Sequence, residues 1–329
     1  MLMKECLTKE VEAKLKNTVC SCGFTLAKCI NSGVENPDGS LGAYAGCAEC
    51  YTTFAPLFNP IVEKYHKFSF DNAHQANLDI SSLSGLEVLK DFIVSTRIRV
   101  GRNLDGFVFG AAASKEDRVE IERVVSSALK NFKGDLAGDY YPLLGMNEDD
   151  RVKLVEDHFL FKSGDRFQEA AGLNRDWPYG RGIFHSVDKK FLVWLNEEDE
   201  LRIISMQMGG DIIAVFDRLV RALNEIEQTV KFAKSEKLGY LTSCPSNLGT
   251  AMRASVHIKL EKLSQTKDFK KICSDMALSV RGIHGEFSDS AGGVYDISNK
   301  QRLGMSEVDI VKLFYNGVKE LIRMEKELW

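Results

Sequence analysis

Residues 241–260 set a thiol beside basic side chains, a combination that suits phosphate chemistry. Cys244 is followed by Pro245, which has no backbone N–H, so the apolar strand predicted for residues 238–243 ends at the thiol. Downstream, a strand would place four polar side chains on one face: Arg253, Ser255, His257 and Lys259. We therefore predict a displayed thiol beside a cationic surface, although a lone cysteine is also commonly a small core residue.

A second segment, residues 92–102, carries two arginines on a predicted strand. Alternation gives one face a mainly apolar set: Phe92, Val94, Thr96, Ile98 and Val100. The opposite face receives Ser95, Arg97 and Arg99. Two planar guanidinium groups side by side are spaced to bind neighbouring phosphate oxygens in a forked geometry.

Residues 191–208 predict a hairpin with an acidic tip. An apolar strand leads into the turn Asn196–Asp199, and the second strand carries Arg202. Acidic hairpin tips are commonly solvated, but a carboxylate held near a substrate can also orient a cation and accept its proton.

The cysteines invite a metal interpretation that their spacing does not favour. Cys47 and Cys50 have a spacing that suits zinc, whereas Cys20 and Cys22 are one residue closer than the usual knuckle, and no histidine lies nearby in the sequence. Cys29 lies between the two pairs. We expect free thiols here, and eight cysteines without a regular framework predict a reduced, cytoplasmic protein.

Nucleotide-binding loops of the common kinds are missing from this sequence. It has no G-x-x-x-x-G-K-[ST] motif, no G-x-G-x-x-G opening a helix, and no H-R-D or D-F-G signature. A bound nucleotide would therefore be held by side chains, chiefly arginines.

The elements that position these residues predict an α+β fold. A small all-α N-terminal domain is expected at residues 1–67, with a Gly- and Pro-containing loop at 31–46, followed by a linker at 68–90. Residues 91–329 contain helices that begin at the caps Ser114, Asp211 and Ser306. Because the strands are hairpin-like and not separated by regular crossovers, we predict an antiparallel sheet flanked by helices.

Length and charge agree with a two-domain protein that binds small molecules. The chain has 329 residues, 44% of them hydrophobic, and a net charge of −4, which argues against nucleic-acid and membrane partners. No apolar run approaches the ~20 residues of a membrane span, and the charged start lacks the apolar stretch of a signal peptide. We expect a monomer or a homodimer.

These segments together resemble the phosphagen (guanidino) kinases. CPSNLGT followed by R-x-S-V-H, the STRIR strand, the NEED turn and a glycine-interrupted segment at 280–299 are similar to motifs of that family. The resemblance runs from about Lys4 to the C-terminus. It implies a helical N-terminal domain in front of an antiparallel catalytic sheet.

The resemblance also implies a site for ATP or ADP with Mg²⁺. Phosphates would be bound by a serine and five arginines: Ser95, Arg97, Arg99, Arg202, Arg253 and Arg281. His158 would stack on adenine, with His257 and Asp296 close to the nucleoside. Mg²⁺ would be held by ATP and water, with no protein side chain as a ligand.

A guanidinium substrate would be held by two carboxylates, Glu198 and Glu286, with Cys244 as an electrostatic third partner. The hydroxyl of Ser246 and nearby cations are expected to lower the thiol pKa below its free value. A protonated guanidinium is a poor nucleophile, so the clamp would orient one nitrogen and accept its proton.

The loop at 31–46 is similar to the short form of the arginine-specific branch. Its consecutive N–H groups at Ser40, Leu41 and Gly42 can bind an α-carboxylate, and Tyr44 matches a tyrosine of that loop. By resemblance, Asp38 and Arg166 would link the two domains. We therefore expect reversible phosphorylation of L-arginine.

Several positions depart from the family pattern and keep alternatives open. Glu200 replaces a usual His, and the 280–299 segment carries further changes: Ile283, His284 and Phe287. HGE in this segment is similar to a taurocyamine kinase. Taurocyamine kinase and a catalytically silent nucleotide-binding member are the two alternatives.

Overall fold

The computed structural model describes residues 1–282 and 292–329 and has a small helical region in front of a large sheet. The first region contains these helices: α1 (Leu2–Cys6), α2 (Lys9–Leu15), α3 (Leu26–Glu35), α4 (Cys50–Thr53) and α5 (Ala55–His66). Thr8 caps α2 because its hydroxyl accepts a hydrogen bond from the Val11 N–H, and Thr25 caps α3 by accepting from the Lys28 N–H. A core around Phe24, Phe54 and Phe58 buries their apolar faces. The predicted small helical N-terminal domain is confirmed.

Residues 68–90 run across the large domain with one short 3₁₀ turn, Ile80–Leu83. The N–H of Asn77 donates to Glu307 Oε2 at 3.0 Å, and the Tyr315 hydroxyl donates to the Glu87 carbonyl at 3.0 Å. This connection is therefore bonded to the C-terminal helix at Asn77 and at Glu87. The exact domain boundaries stay a prediction.

The large domain is built on one antiparallel sheet of eight strands within the described residues, in the order β2-β3-β4-β5-β1-β8-β10-β9. Its strands are β1 (Ile93–Arg102), β2 (Gly138–Pro142), β3 (Gly182–Ser186), β4 (Phe191–Leu195), β5 (Leu201–Met208), β8 (Met252–Lys259), β9 (Leu278–Gly282) and β10 (Val294–Asn299). A separate ribbon pairs β6 (Lys234–Ser235) with β7 (Gly239–Tyr240). The predicted antiparallel sheet is confirmed.

The longest helices cover one face of this sheet, and the helix Glu148–Glu156 packs against part of the other. The helices of the domain are α6 (Lys115–Leu129), α7 (Glu148–Glu156), α8 (Arg166–Ala170), α9 (Ile212–Glu227), α10 (Phe269–Asp275) and α11 (Glu307–Glu327). α9 packs on β1 and β5, and α11 packs on β8 and β10. Ser114, Asp211 and Ser306 cap α6, α9 and α11 as predicted. None of the described helices is both long and apolar enough to cross a membrane.

Two strand predictions need correction. The strand expected at 238–243 shrinks to Gly239–Tyr240, because the residues after Tyr240 leave the ribbon to meet the N-terminal region. In β1 the register shifts between Ile93 and Ser95, so Val94 is 41% exposed instead of sharing the apolar face.

Candidate active site

Strand register brings all five predicted arginines to one face of the sheet. Arg99 on β1 lies directly opposite Arg253 on β8, and Gly101, two residues further along β1, lies opposite Arg202 on β5. Directly opposite residues of an antiparallel pair point to the same face, as do residues two apart on a strand. Arg97, two residues before Arg99 on β1, therefore lies on the same face as Arg99, Arg202 and Arg253. We call this surface, with Arg281 included, the arginine face.

The outer part of the arginine face is a row of polar residues crossing four strands. Ser95 pairs with His257, His257 with Asp296, and Asp296 with Arg281. Asp296 Oδ2 also accepts from Arg253 Nη2 at 3.0 Å. Residues predicted from separate motifs thus become neighbours.

Arg97 is half-buried, with two buried donors left over for a ligand. Its Nε and Nη2 have no hydrogen-bond partner among the described residues. Its guanidinium lies 5.6 Å from the ring of Trp194, which also lies 5.8 Å from Arg202. Burial, with repulsion from Arg202 and Arg253, lowers the pKa of Arg97 to about 10. Buried cations with unused donors form a site for a polyanion.

Trp194 was missed by sequence reasoning, although its register explains its place. It pairs with Arg202 across the hairpin, so both side chains lie on the arginine face. Its indole N–H donates to the Phe159 carbonyl at 2.7 Å, which fixes the segment that carries His158. His158 itself is exposed, with a φ of 61°, and its charge contributes to lowering the pKa of His257, after burial and the two nearby arginines. The adenine-stacking role of His158 stays a prediction.

The acidic hairpin tip is buried, so its residues are not a solvated turn. Glu197 and Glu198 each contact Arg202 Nη2 at 2.9 Å, and their side chains are 12% and 14% exposed. Burial raises the pKa of Glu198 to about 7, with Arg202 opposing the shift and Asp199 and Glu197 adding to it. A carboxyl that titrates near neutral pH is suited to accepting and returning a proton.

Hydrogen bonds from the sheet and from residue 243 fix this turn. Asp199 Oδ1 accepts from the Ser243 N–H at 2.7 Å and from Asn103 Nδ2 at 2.9 Å. Glu200 Oε2 accepts from the Leu104 N–H at 2.7 Å and is fully buried. Glu200, which stands where the family usually has a His, thus anchors the acidic turn to the backbone at Leu104.

Cys244 differs from its prediction in exposure and in pKa. The thiol is buried, because the N-terminal region packs over it: the Ala45 N–H donates to the Ser243 carbonyl at 2.7 Å, and His66 Nε2 lies 2.8 Å from the Pro245 carbonyl. Burial, reinforced by the charge of Glu198, raises the thiol pKa to about 12. The predictions of a displayed thiol and a lowered pKa are therefore wrong.

The serine contact predicted for this thiol is present. Cys244 Sγ lies 3.1 Å from Ser246 Oγ, and this contact does favour the thiolate, although burial outweighs it.

Arg302 and Asn247 were not predicted and connect the thiol turn to the acidic turn. Arg302 Nη1 donates to the Ser246 carbonyl and to Asn247 Oδ1, both at 2.8 Å. Asn247 Nδ2 in turn donates to Glu198 Oε2 at 3.4 Å. Asn247 lies within the CPSNLGT motif and could have been suspected from it, whereas Arg302 follows β10 without a local signal.

The loop after α3 lies against the same site. The Ala45 N–H donates to the Ser243 carbonyl at 2.7 Å, and burial, with the charges of Cys244 and Glu198, raises the pKa of the Tyr44 phenol. The carbonyls of Ser40 and Leu41 accept from the first residues of α1 at 2.9 Å. The N–H groups at 40–42 have no acceptor within the described chain, as an anion-binding nest requires.

Gly42 is required at its place in this loop. Its φ is +82°, and a Cβ there would approach the Cα of Gly33 to 3.2 Å. The close approach of two glycines lets the loop lie flat on α3.

Asp38 and Arg166 meet across the two regions, as predicted. Arg166 Nη1 donates to Asp38 Oδ1 at 2.9 Å and to Asn36 Oδ1 at 3.2 Å, and Ser32 Oγ donates to the Phe167 carbonyl at 2.9 Å. The substrate loop and α8 are thereby joined. Glu286, with Ile283, His284 and Phe287, lies outside the described residues.

The site therefore combines a half-buried cationic surface with a carboxylate whose pKa is raised to about 7. Such a surface neutralises phosphate charge, while the carboxylate next to it can hold a cationic nucleophile in line. This arrangement suits phosphoryl transfer between two bound substrates, with no covalent intermediate on the protein.

Comparisons with known proteins agree with this geometry. The profile of the ATP:guanido phosphotransferase C-terminal catalytic domain matches residues 120–328, and that of the N-terminal domain matches residues 1–63. An arginine kinase of Anthopleura japonica is 53% identical over 99% of this chain, and one of Liolophura japonica is 51% identical over 99%. The chain covers 46% of the first and 94% of the second.

Two solved structures share the fold. A lombricine kinase superposes with a TM-score of 0.96 at 39% identity, covering 99% of this chain and 92% of its own. The duplicated taurocyamine kinase of Schistosoma mansoni, with bound transition state analog components, gives 0.92 at 44% identity, covering 98% of this chain and 46% of its own. The chain thus spans about half the length of the Anthopleura and Schistosoma proteins.

Proposed function

The chain belongs to the ATP:guanido phosphotransferase family, and from that premise we propose that it reversibly phosphorylates a guanidino substrate, L-arginine first among the candidates. The observation that carries the proposal is the contact between Glu198 and Arg202, at 2.9 Å. It sets a carboxyl with a pKa of about 7 at the edge of the arginine face. Relatives named arginine kinase, at 49–53% identity, support the choice of arginine.

The arginine face would hold the triphosphate of ATP. Arg97 offers two unused donors, and Arg99, directly opposite Arg253, adds a second half-buried cation. Asp296 is paired with Arg253 through Oδ2 only, and we propose that Mg²⁺ arrives with the nucleotide. When bound, Mg²⁺ would neutralise phosphate charge. The arginines would align the γ-phosphoryl group with its acceptor.

Glu198 would orient the guanidinium and manage its proton. One guanidino nitrogen attacks the γ-phosphorus, the N–P bond forms, and the P–O bond to ADP breaks. The proton lost by that nitrogen passes to the Glu198 carboxylate, and in the reverse direction it returns to the nitrogen. Glu286 is proposed as the second carboxylate of this clamp, and the loop N–H groups at Ser40–Gly42 would bind the substrate's α-carboxylate.

Cys244 would become a thiolate only against a cationic substrate. Its pKa of about 12 reflects burial beside Glu198, and a guanidinium placed between the two would offset that repulsion. Its role is then electrostatic. The eight free cysteines support a cytoplasmic location, which belongs to the same proposal.

Cys244→Ala should slow turnover without abolishing it, by roughly 10–100-fold, because an electrostatic partner is lost and no nucleophile is removed. Alkylation of Cys244 should inactivate by bulk, and bound arginine with nucleotide should protect. Steady-state kcat measures the loss of turnover, and the rate of Cys244 alkylation across pH, with and without bound substrates, measures the reactivity and protection of the thiol. Cys273→Ala, at a buried thiol in α10, is the matched control and should keep full activity. Complete loss of transfer in Cys244→Ala, with a phosphorylated enzyme in the wild type, would contradict the electrostatic role.

A substrate panel tests the proposed function directly. Creatine, with its shorter backbone and N-methyl group, should leave the loop at 40–44 unfilled, so its kcat/KM should fall at least ~10³-fold below that of arginine. A coupled assay should compare arginine, taurocyamine, creatine, glycocyamine and lombricine.

Two outcomes of the panel would change the proposal. A kcat/KM for taurocyamine above that for L-arginine would replace the substrate and keep the mechanism, an alternative favoured by the similarity to the taurocyamine kinase structure. No transfer to any member by folded, nucleotide-binding protein would support the catalytically silent alternative.

A further inference from the structure

Four cysteine side chains from two separate turns meet in the N-terminal domain. Cys20 and Cys22 lie between α2 and α3, and Cys47 and Cys50 lie at the start of α4. The Sγ–Sγ distances are 3.0 Å for the first pair and 3.6 Å for the second. Across the turns, Cys20 lies 3.6 Å from Cys47 and 4.0 Å from Cys50. The Sγ atoms of Cys20, Cys47 and Cys50 all lie within 4.8 Å of one another, and Cys22 adjoins this group through Cys20.

These distances bracket those of a tetrahedral thiolate site. Four sulfurs at the usual Zn–S distance of about 2.3 Å lie about 3.8 Å from one another. A disulfide would need about 2.05 Å, which none of the four sulfur pairs approaches. The short Cys20–Cys22 spacing, which disfavours zinc in the sequence, therefore does not prevent the sulfurs from converging.

The backbone of each turn holds its cysteines in place. The Cys20 N–H donates to the Phe24 carbonyl at 3.0 Å, and the Gly23 N–H donates to the Cys20 carbonyl at 2.9 Å. In the second turn the Cys50 N–H donates to the Cys47 carbonyl at 3.1 Å. Sulfurs held this way lose little conformational freedom when they bind an ion.

Glu49 ties the two turns together from outside the cluster. The Ser21 N–H donates to Glu49 Oε2 at 3.0 Å, and the Ser21 hydroxyl donates to the same oxygen. Neither residue points a ligand into the group of thiols that the structure brings together. Hydrogen bonds of this kind around a metal site orient the ligand-bearing loops.

Three of the sulfurs are removed from water. Cys20, Cys47 and Cys50 are buried, and Cys22 is half-buried. A buried set of soft donors with no acid or imidazole among them suits a borderline-soft ion such as Zn²⁺ and does not suit Mg²⁺ or Ca²⁺. Binding would release thiol protons to solvent, as the thiolate is the ligand.

We propose that Cys20, Cys22, Cys47 and Cys50 bind one Zn²⁺ as a structural site. The ion would join the turn before α3 to the turn before α4. The second turn follows Tyr44 by three residues, and within it the Gly46 carbonyl accepts from the Phe109 N–H at 2.8 Å. Zinc would therefore hold in place the segment after Tyr44, where the substrate loop rejoins the helices of the N-terminal domain. The proposal is independent of the proposed function.

Metal uptake by the whole, reduced, metal-free protein is the first test. Zn²⁺ titration followed by gel filtration and elemental analysis should give one equivalent per chain. Co²⁺ should give the absorption bands of a tetrahedral thiolate complex, which Zn²⁺ then displaces. A folded, fully reduced wild type that takes up neither ion would overturn the proposal, as would uptake without thiolate bands.

Variants then locate the ion. Cys47→Ser with Cys50→Ser should abolish stoichiometric binding and lower the Tm of protein prepared with zinc. Cys273→Ser, which removes a buried thiol of the large domain, should keep one equivalent of zinc even if its buried hydroxyl lowers the Tm. Undiminished binding in the double variant would overturn the assignment. If that variant does not fold, the Co²⁺ spectrum of the wild type decides alone, because it reports the number of thiolate ligands.

Discussion

Replacing Arg97 by alanine should lower kcat for phosphoryl transfer by roughly 10³–10⁵-fold, the scale of removing an arginine that stabilises a transferring phosphoryl group. Arg97 is half-buried, and its buried Nε and Nη2 have no partner in the described structure, so these two donors are available to a ligand. The coupled assay with arginine and ATP measures the loss. Nucleotide affinity, from fluorescence or calorimetry, should fall as well.

Two controls separate this role from a structural one. Arg97→Lys keeps the charge without the fork and should recover only part of the activity. Arg123→Ala removes an exposed arginine paired with Glu120 and should leave activity unchanged. Because Arg97 is repelled by Arg202 and Arg253, the alanine variant should keep the wild-type Tm in nucleotide-free buffer. A large fall in that Tm would indicate that Arg97 mainly supports the fold.

Glu198→Gln should lower turnover by roughly 10²–10⁴-fold, because the shape of the side chain stays and its acceptor of a proton is lost. Nucleotide affinity should change little. Glu197→Gln is the matched control: it removes a carboxylate from the same turn, at the same 2.9 Å from Arg202, and should cost less than about tenfold. Near-normal turnover in Glu198→Gln would remove this residue from the mechanism.

The pH profile gives the same prediction a second readout. The pKa of Glu198 is about 7, so forward kcat/KM should rise with pH through that value as the carboxylate forms, and Glu198→Gln should lack this inflection. The folded pKa lies above the ordinary value of 4.5, so the stabilising contribution of protonated Glu198 is full below pH 4.5 and is lost as pH rises through 7. Wild type should therefore lose more stability than Glu198→Gln between pH 5 and 8.

Local patterns in the sequence were sufficient for much of the fold and for the arginine face. The helix starts at Ser114, Asp211 and Ser306 could be predicted because each of these side chains accepts a hydrogen bond from the backbone N–H three residues later. Alternation in β1 and β8 places Arg97, Arg99 and Arg253 on one face because the side-chain period of a strand is two. Such rules need no knowledge of distant parts of the chain.

What the sequence could not show depends on contacts between distant segments. The buried state of Cys244 comes from Ala45 and His66, about 180–200 residues away along the chain, and it reverses the expected direction of the thiol pKa. Arg302 reaches Asn247 from a similarly separate element. The four thiols of the N-terminal domain lie in turns whose pairing depends on Glu49 and Ser21. Each required the assembled structure.

The arginine face links the durability of the protein to the supply of its substrates. Without a bound anion, the positive charges of Arg97 and Arg99 repel those of the neighbouring arginines and are poorly hydrated. This repulsion destabilises the folded chain. Any ligand that binds only the folded state increases the free energy of unfolding by RT ln(1 + [L]/Kd), which is about 2.7 kcal/mol when the ligand concentration is 100 times Kd. When nucleotide is plentiful, the chain would resist heat and proteases; when it is depleted, unfolding and degradation would accelerate. The lifetime of the molecule would then follow the adenylate pool.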